Sequence, residues 1–309
     1  MTGTTETVPV APEEAVAKVE TPLERFVSDF CESRIAIAAL LVFAAIAFVA
    51  IFAPLISPQN PYDLSEIDIL DGRLPPGAES MMTGMNFVLG TDDQGRDMLS
   101  AIFYGLRTSL GVGAMSGLIA LCLGMSIGLA AAYFGGRVDS IIMRTVDLQL
   151  SFPAILVALI LLAVLGKGVD KIIVALIIVQ WAYYARTVRG SALVERRKEY
   201  IEAAACLALS HRRIVFRHLL PNVLPPLIVV GTVQVAHAIA LEATLSFLGV
   251  GLPVTEPSLG LLIANGFDYM LTGKYWISFF PGIALLITIV SINLVGDQLR
   301  DVLNPRLRK

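Results

Sequence analysis

Six apolar segments, each long enough to cross a lipid bilayer, constrain the fold of this sequence more than any other feature. They cover about residues 35–56, 108–134, 138–165, 172–188, 223–248 and 278–299. A helix needs about 20 apolar residues to span the hydrocarbon core, where its backbone groups can bond only to one another. The sequence therefore predicts an all-α membrane protein with six transmembrane helices. Pro153 is expected to kink the third of them.

Lysine and arginine are concentrated on one side of these segments. With the amino terminus inside, the outer side carries only six of the 23 basic residues: Arg73, Arg96, Arg107, Lys167, Lys171 and Lys274. Cytoplasmic loops of membrane proteins carry an excess of lysine and arginine. We therefore expect both termini to be cytoplasmic, since the opposite orientation would place most of the positive charge outside.

The spans divide the chain into five parts. Residues 1–34 are predicted to be a disordered cytoplasmic tail, because the first 20 combine four glutamates with Thr, Val, Pro and Ala. These 20 residues lack a basic region followed by an apolar core, so we expect no cleaved signal peptide and an anchoring role for the span 35–56. The other parts are an extracytoplasmic loop at 57–107, a five-helix core at 108–299 and a cytoplasmic tail at 300–309.

The long outer loop contains an aspartate-rich turn followed by a helical pattern. The turn is Leu89-Gly90-Thr91-Asp92-Asp93-Gln94-Gly95-Arg96-Asp97. After it, the apolar residues at helical spacing are Met98, Leu99, Ile102, Phe103 and Leu106. We predict a short amphipathic helix at the outer interface, capped by the aspartates. The aspartates also suggest a calcium site, but their spacing matches no calcium loop, so helix capping is favoured.

The longest polar interruption among the later spans lies at residues 189–221. Glu202-Ala203-Ala204-Ala205 is a run of good helix formers, and a second apolar pattern between charged neighbours comprises Ile214, Phe216 and Leu220. These patterns predict two helical pieces, of which the second ends before Pro221, because the residue before a proline avoids the helical region. A basic amphipathic loop of this kind is expected in the cytoplasm, where a soluble partner can reach it.

The predicted spans carry charged and polar side chains that are candidates for function, namely Arg144, Asp147, Gln234, His237 and Glu242. Arg144 and Asp147 can face each other on a helix, either as a functional site or as an ion pair that holds helices together. Gln234 and His237 share a helix face, whereas Glu242 lies on a different part of the circumference. These three suggest either a proton relay or, as we favour, structural or cavity-lining positions.

The sequence offers no sign of catalysis by this chain. Cys31, Cys122 and Cys206 are scattered without pairing or metal-ligand spacing. No nucleotide-binding signature and no pair of nucleophile and base is evident. We therefore assign no catalytic residue, cofactor or metal, and we expect no nucleic-acid partner. Two other classes of membrane protein, a membrane-embedded enzyme and a proton-driven secondary transporter, are kept as alternatives to the class that the motifs below indicate.

Four spaced motifs, in order, relate the chain to a known family. Residues 200–222, with Glu-Ala-Ala near the start and FRH-x-LPN at the end, resemble the EAA loop of bacterial ABC importer permeases. LGTD-x-x-GRD followed by YG-x-R-x-SL is similar to a signature of the oligopeptide, dipeptide and nickel branch of that family. FGG-x-VD with MR-x-x-D and FP, and the tail GD-x-LRD-x-L-x-P, are also similar. One departure is Ala208, which stands where the family usually has a glycine.

The resemblance implies the type I ABC importer permease fold in a bacterial inner membrane. It also implies a sibling permease, two ATPase subunits that hydrolyse the ATP, an extracytoplasmic substrate-binding protein and surrounding membrane lipid as partners. In that family the EAA loop docks on an ATPase subunit. Carried onto this sequence, the loop residues that couple to the ATPase are Glu202, Ala203, Ala204, Ala208, Arg212, Arg213 and Arg217. Peptides are the expected substrate, ahead of glutathione, nickel complexes or opine-like compounds.

Overall fold

The computed structural model of the chain describes residues 21–303 apart from positions 64, 81–82 and 254. Within these residues the helices are α1 Pro22–Cys31, α2 Arg34–Ile56, α3 Met98–Phe134, α4 Gly136–Leu150, α5 Ala154–Leu165, α6 Val169–Glu195, α7 Glu199–Cys206, α8 His211–Arg213, α9 Leu220–Phe247, α10 Leu259–Phe267 and α11 Trp276–Leu303. A π-helical segment, Ile214–Leu219, joins α8 to α9, and two short 3₁₀ turns cover Ile69–Asp71 and Met270–Thr272. The strands β1 Ala78–Glu79 and β2 Asn86–Phe87 pair antiparallel.

In the described part of the chain, five helices are long and apolar enough to cross a membrane: α2, α3, α6, the continuous helix His211–Phe247 and α11. The pair α4 and α5 makes a sixth span when the two are counted together, although they meet at a bend of 89°. The predicted all-α membrane protein with six transmembrane helices is therefore confirmed. The orientation of the termini stays a prediction from the distribution of basic residues.

The third predicted span, 138–165, is broken at Pro153 and not merely kinked. Pro153 takes extended dihedral angles (φ −57°, ψ 127°) between α4 and α5. A proline has no N–H to donate and its ring clashes with the preceding turn, so the helix stops there. α5 has 12 residues, which gives a length of only about 18 Å at 1.5 Å per residue. The prediction of one continuous span was therefore wrong at this position.

α3 begins ten residues before the predicted second span and has 37 residues in all, a length of about 55 Å. The short interfacial helix predicted at 98–106 is its first part. Met98, Ile102 and Leu106 are buried in a cluster with Trp276 and do not lie on a membrane surface. The prediction of a separate helix was wrong, because no residue interrupts the helical pattern. The predicted cap is confirmed, since the Asp97 side chain accepts the N–H of Ser100 at 2.8 Å.

The amino-terminal segment is partly helical, so the prediction of a disordered tail over 1–34 was wrong for α1. The Thr21 side chain accepts the N–H of Glu24, and the Glu24 carboxylate accepts the N–H of Thr21, which together cap the helix. Phe30 of α1 is buried against Ala36 and Val302, so α1 packs against the carboxyl end of α11. Residues 1–20 and 304–309, including the last six residues of the predicted tail 300–309, lie outside the described residues.

Glycines along α3 bring two other helices close to it. A Cβ added at Gly113 would lie 2.6 Å from a side-chain carbon of Ile239 in α9, and one at Gly128 would lie 2.5 Å from the Ala185 carbonyl oxygen in α6. Small residues permit such close backbone approach between membrane helices. α3 is therefore the central helix around which α6 and α9 pack, and it extends from the loop at residues 57–97 to the end of the fold that carries α7.

Candidate functional site

The loop between α6 and α9 presents a short helix, α7, that ends in a left-handed turn. The Leu209 N–H donates to the Ala204 carbonyl at 3.2 Å, and the Ala208 N–H donates to the Ala205 carbonyl at 2.9 Å. This pair of bonds is a Schellman motif, in which the residue after the cap adopts the left-handed conformation. That residue is Ala208, with φ of +52°. The alanine at the usual glycine position therefore keeps the turn but holds a strained backbone.

One face of α7 packs on the protein and the other is exposed. Ile201 and Ala204 are each 5% exposed and form a cluster with Ile214, against which Leu209 and Tyr133 pack. The exposed face carries the predicted contact residues Glu202 and Ala203, together with Ala205, Cys206 and Leu207. The expectation that Ala204 lies on the contact surface was wrong, because position 204 follows the buried Ile201 by three residues and so shares its face.

Tyr133, in the last turn of α3, ties the spans to the base of this loop. Its hydroxyl makes a hydrogen bond with Nδ1 of His211 at the start of α8. The Arg196 guanidinium lies over the Tyr133 ring, 5.6 Å from its centroid, and donates to the Ala132 carbonyl at 2.8 Å. The contacts of Tyr133 with His211 and Arg196 were not predicted from the sequence. An aromatic residue directly before the Phe-Gly-Gly turn could have indicated that a side chain packs on the loop there.

A second set of polar contacts ties the loop to α9. Lys198 pairs with the Glu195 carboxylate at 2.8 Å, and Tyr200 donates to the other oxygen of that carboxylate. The Asn222 side chain at the start of α9 donates to the Tyr200 hydroxyl at 3.1 Å. Burial and the hydrogen bond to Glu195 raise the pKa of the Tyr200 hydroxyl to about 12. Tyr200 is therefore protonated at neutral pH and remains a donor that fixes the start of α7.

The basic half of the loop is continuous with the fifth span. The prediction that Pro221 ends the preceding helix was wrong, since Leu220 has helical dihedral angles and its N–H donates to Val215, five residues back. Such a wide π turn moves the preceding carbonyls away from the proline ring and lets the helix continue. The predicted loop arginines Arg212, Arg213 and Arg217 are all exposed.

Two arginine–aspartate pairs join α4 to α6. Arg189 donates to both carboxylate oxygens of Asp139, at 2.9 and 2.6 Å. Asp147 pairs with Arg186. The predicted meeting of Arg144 with Asp147 was therefore wrong, because the aspartate turns to α6 while Arg144 is exposed. Of the two roles left open for Asp147, the geometry favours the one that joins helices.

The three polar residues of α9 occupy different surroundings. Glu242 is fully buried and accepts hydrogen bonds from Ser109 of α3 and from Ser246, each at 2.8 Å. Gln234 is 5% exposed, whereas His237 is exposed. Gln234 and His237 were predicted to share a helix face, but they lie in different surroundings and do not form one site. The geometry favours a structural role for Glu242, because one of its oxygens joins α9 to α3 and the other accepts a hydrogen bond one turn further along α9.

The aspartate-rich outer turn is a compact hydrogen-bonded unit. Asp92 pairs with the buried Arg96 at 2.6 Å and accepts the N–H of Gln94 at 2.9 Å. The Thr91 hydroxyl donates to the Asp71 carbonyl at 2.5 Å. These contacts explain the LGTD-x-x-GRD motif as a structural unit that fixes the outer loop above α3.

This turn also contacts the last span. Trp276, the first residue of α11, donates its indole N–H to the Thr91 carbonyl at 3.2 Å. Beside it, burial of Asp93 and the charge of Asp92 raise the pKa of the Asp93 carboxyl. In the described part of the chain, no group of three or more His, Cys, Asp or Glu side chains is arranged to hold a metal ion.

A cavity of about 740 Å³ lies between α6, α9 and α11 toward the end that carries the loop. Its charged and amide side chains are Glu195, Asn222, Asp297 and Arg300, and valines form much of the remaining wall. A cavity that carries both signs of charge can accept a ligand that has both an amino group and a carboxylate.

The chain matches two family models over most of its length. Residues 120–309 match the model of the binding-protein-dependent transport system inner membrane component. Residues 21–76 match the model of the N-terminal transmembrane domain of oligopeptide transport permease C. Among solved structures, the inward-facing MetNI methionine ABC transporter has a chain that aligns with a TM-score of 0.55 and 21% identity, covering 67% of this chain and 98% of that one. This likeness concerns the fold.

Curated relatives match over most of their own length. A putative peptide transport system permease protein of Brucella suis is 42% identical over 269 residues, 87% of each chain. The di/tripeptide transport system permease protein DppC of Pseudomonas aeruginosa is 36% identical over 288 residues, 93% of each chain. The oligopeptide transport system permease protein OppC of Bacillus subtilis is 36% identical over 280 residues, 91% of this chain and 88% of the relative.

Spans packed around one long helix, joined to a loop that presents a short exposed helix, define a multi-pass membrane protein. The family matches make the class specific. The chain belongs to the family of binding-protein-dependent transport system inner membrane components, as an ABC importer permease of the oligopeptide and dipeptide type in the bacterial inner membrane.

Proposed function

We propose that this chain forms the translocation pathway of an ATP-driven importer of di- or oligopeptides, together with a sibling permease. Its relatives from Pseudomonas aeruginosa and Bacillus subtilis are named as di/tripeptide and oligopeptide permeases. The cavity with Asp297 and Arg300 supports a substrate that carries both charges, as a peptide does at its two ends. A substrate-binding protein delivers the peptide from outside, and two ATPase subunits supply the energy.

The observation that carries the coupling part of this proposal is the two-sided character of α7. Its inner face is fixed on Tyr133 and Ile214, so the helix cannot move without the spans. Its outer face exposes Glu202, Ala203 and Leu207 to a partner, and Leu207 is 75% exposed. A helix that places an apolar side chain in a hydrophobic groove is a recurring mode of recognition, and the exposed Leu207 suits such a groove on an ATPase subunit.

The mechanism is linkage between two binding equilibria. ATP closes the pair of ATPase subunits, and the closed pair holds α7 differently from the open pair. A ligand shifts a conformational equilibrium only by its difference in affinity for the two states, so α7 must be bound differently in each. The spans then alternate between inward and outward openings. In this scheme Glu202 and Ala203 contact the ATPase, Ala204 and Ala208 keep the helix in place, and Arg212, Arg213 and Arg217 provide adjacent positive charge.

The native cysteines give a direct test of the docking surface. Cys206 is exposed in the last turn of α7, whereas Cys31 is exposed at the end of α1. Two variants, each keeping one of these cysteines and carrying serine at the other two cysteine positions, would be labelled with a maleimide before and after assembly with the ATPase subunits. Assembly should slow the labelling of Cys206 and leave that of Cys31 unchanged. Equal labelling rates for Cys206 in both states would refute docking at α7.

The substrate class needs a separate measurement. Proteoliposomes that hold the assembled importer and its binding protein should take up a labelled dipeptide or tetrapeptide on addition of ATP. Glutathione and nickel chelates serve as competitors in the same assay. Inhibition of peptide uptake by excess unlabelled peptide, and not by glutathione or nickel, is the expected result. ATP-driven uptake of glutathione or nickel without peptide uptake would overturn the peptide assignment and leave the permease class intact.

A further inference from the structure

A narrow apolar pocket lies between the end of α3 and the basic segment that follows the loop. Its volume is about 250 Å³. The α3 side is formed by Met125, Ser126, Leu129, Ala130, Tyr133 and Phe134. The facing side is formed by His211, Arg212, Val215, Phe216 and Leu220. The pocket is distinct from the cavity between α6, α9 and α11, and two of its residues, Tyr133 and Arg212, also take part in the coupling proposal.

The wall of this pocket carries a positively charged side chain that is not part of an ion pair among the described residues. Arg212 lines the pocket and is exposed, and it forms no ion pair with any residue that the structure describes. No carboxylate is among the pocket residues. His211 is held at the wall by its hydrogen bond with Tyr133. The pocket therefore combines an apolar interior with one available guanidinium, a group that binds phosphate in a fixed fork geometry.

The position of the pocket along the spans limits what can enter it. Phe134 is the last residue of α3, directly before Gly135, and on the predicted topology this end of α3 faces the cytoplasm. Phe134 and Phe216 are 69% and 65% exposed beside the pocket. Aromatic side chains concentrate where a membrane meets water. The pocket therefore lies at the depth of the phosphate groups of the cytoplasmic leaflet.

The chemistry of the walls favours a lipid over a soluble partner. The pocket is lined mainly by apolar side chains and carries one arginine at its wall, a combination that suits an acyl chain with a phosphate headgroup. A soluble anion alone would leave the apolar walls, such as Leu129 and Phe216, in contact with water.

We propose that this pocket binds one anionic phospholipid of the cytoplasmic leaflet. The phosphate pairs with Arg212 and one acyl chain lies against Leu129, Ala130 and Phe216. Basic pockets between spans on the cytoplasmic side are sites where anionic headgroups bind. Because His211 and Tyr133 join this wall to the base of α7, the bound lipid lies directly beside the loop. The site is thus a place where membrane composition acts on the permease.

The test uses the full chain, purified in a neutral detergent and titrated with phosphatidylglycerol or with phosphatidylcholine of the same acyl chains. Native mass spectrometry counts the lipids that each molecule retains. We expect one phosphatidylglycerol to be retained in preference to phosphatidylcholine. Arg212→Gln should lower that preference about fivefold, the loss expected for one basic residue at a membrane surface. The matched control is Arg213→Gln, because Arg213 is exposed on the same segment and does not line the pocket.

A second variant tests the apolar part. Ala130→Phe fills the pocket from the α3 side and should lower retention of phosphatidylglycerol while the melting temperature stays within a few degrees of the original. A photoreactive phosphatidylglycerol should cross-link to peptides from residues 125–134. Equal lipid preference in the Arg212 and Arg213 variants, or cross-links that avoid α3, would overturn the proposal. Loss of binding on addition of glycerol phosphate would show a soluble anion site instead and overturn it as well.

Discussion

The hydroxyl of Tyr133, at the end of α3, makes a hydrogen bond with Nδ1 of His211, 78 residues further along the chain. The contact joins the central helix of the fold to the base of the exposed loop. Arg196 stacks on the same ring and donates to the backbone of α3. Tyr133 is therefore the residue at which a movement of the loop reaches the longest span.

Tyr133→Phe should reduce the amount of peptide carried for each ATP hydrolysed. The variant keeps the ring under Arg196 but loses a hydrogen bond of about 1 kcal/mol. The loop is then joined more weakly to α3, and less of its movement reaches the spans. Uptake and ATP hydrolysis measured together in proteoliposomes give the ratio. Tyr275→Phe is the control, because its ring is 53% exposed just before α11. An unchanged ratio in the Tyr133 variant would mean that the hydroxyl has no part in coupling.

Glu202→Leu should uncouple ATP hydrolysis from uptake while leaving membrane insertion intact. The side chain is exposed in the first turn of α7, so the substitution changes the surface and not the packing beneath it. Glu32→Leu, at an exposed position after α1, is the matched control. Both quantities come from the same proteoliposome assay. Wild-type uptake in the Glu202 variant would remove this residue from the proposed contact.

Ala208→Gly should stabilise the loop. An alanine at φ of +52° is strained by about 1 kcal/mol, and glycine adopts this conformation without the penalty. Trypsin cleavage after the exposed arginines of the loop reports local opening. We expect slower cleavage in the variant, by roughly fivefold if opening limits the rate.

Ala205→Gly is a control that should change the rate of trypsin cleavage in the opposite direction. Ala205 is exposed within the helical part of α7, where glycine costs about 1 kcal/mol relative to alanine. Cleavage should therefore become faster in this variant. If glycine accelerated cleavage at both positions, the left-handed turn at Ala208 would not be the source of strain.

Glu242→Gln should preserve uptake, whereas Glu242→Ala should destabilise the permease. The side-chain amide can still bond to Ser109 and Ser246, but alanine leaves both hydroxyls buried without their acceptor. Each unsatisfied buried group costs about 1–3 kcal/mol. Melting temperature in detergent and uptake in proteoliposomes measure the two effects. Complete loss of uptake in a stable Gln variant would instead indicate that the carboxyl exchanges protons during transport.

Asp93→Asn should raise the melting temperature at pH 7 and leave it nearly unchanged at pH 4. The pKa of Asp93 is raised by burial and by the charge of Asp92, so the folded state favours the protonated form. That preference is satisfied in acid and is lost as the pH rises through the folded-state pKa. The amide removes the ionisation penalty, which grows as the pH rises above the unfolded-state pKa and is complete above the folded-state pKa.

Asp63→Asn is a control that should change the melting temperature at pH 7 in the opposite direction. Hydrogen bonds from Ser65 lower the pKa of Asp63, so its ionised form is favoured in the folded state. The amide should therefore lower the melting temperature at pH 7, and the difference should disappear as the pH falls through the folded-state pKa. Shifts of the same sign in both variants would contradict the assigned environments.

Apolar length alone predicted the number of spans, since burying a backbone in lipid requires complete helices. The ends were less predictable. Leu220 remains helical before Pro221 because a π turn relieves the clash between the proline ring and the preceding turn. No residue pattern predicts that π turn. Pro153 broke its span while Pro225 and Pro226 lie inside α9. The surrounding packing, and not the proline itself, decides between these outcomes.

The loop helix could be located from the Glu-Ala-Ala run, but its orientation could not. Ala204 faces inward because Ile201 and Ile214 bury that side, a contact between segments that local propensity does not encode. The partners of Asp147 and Tyr133 lie 39 and 78 residues away. A spacing rule confined to one helix pairs Asp147 with Arg144 and misses the arginine on the neighbouring helix.

The hydrogen bond from Trp276 to Thr91 sets an order of events during synthesis. The two residues are 185 positions apart, so the outer turn is translated long before the start of α11. At about 5–20 residues per second, the interval is roughly ten to forty seconds. On the predicted topology, the turn is outside the membrane during that time and lacks the hydrogen bond from Trp276. Chains truncated before α11 should therefore be the ones that extracytoplasmic proteases cut at this turn.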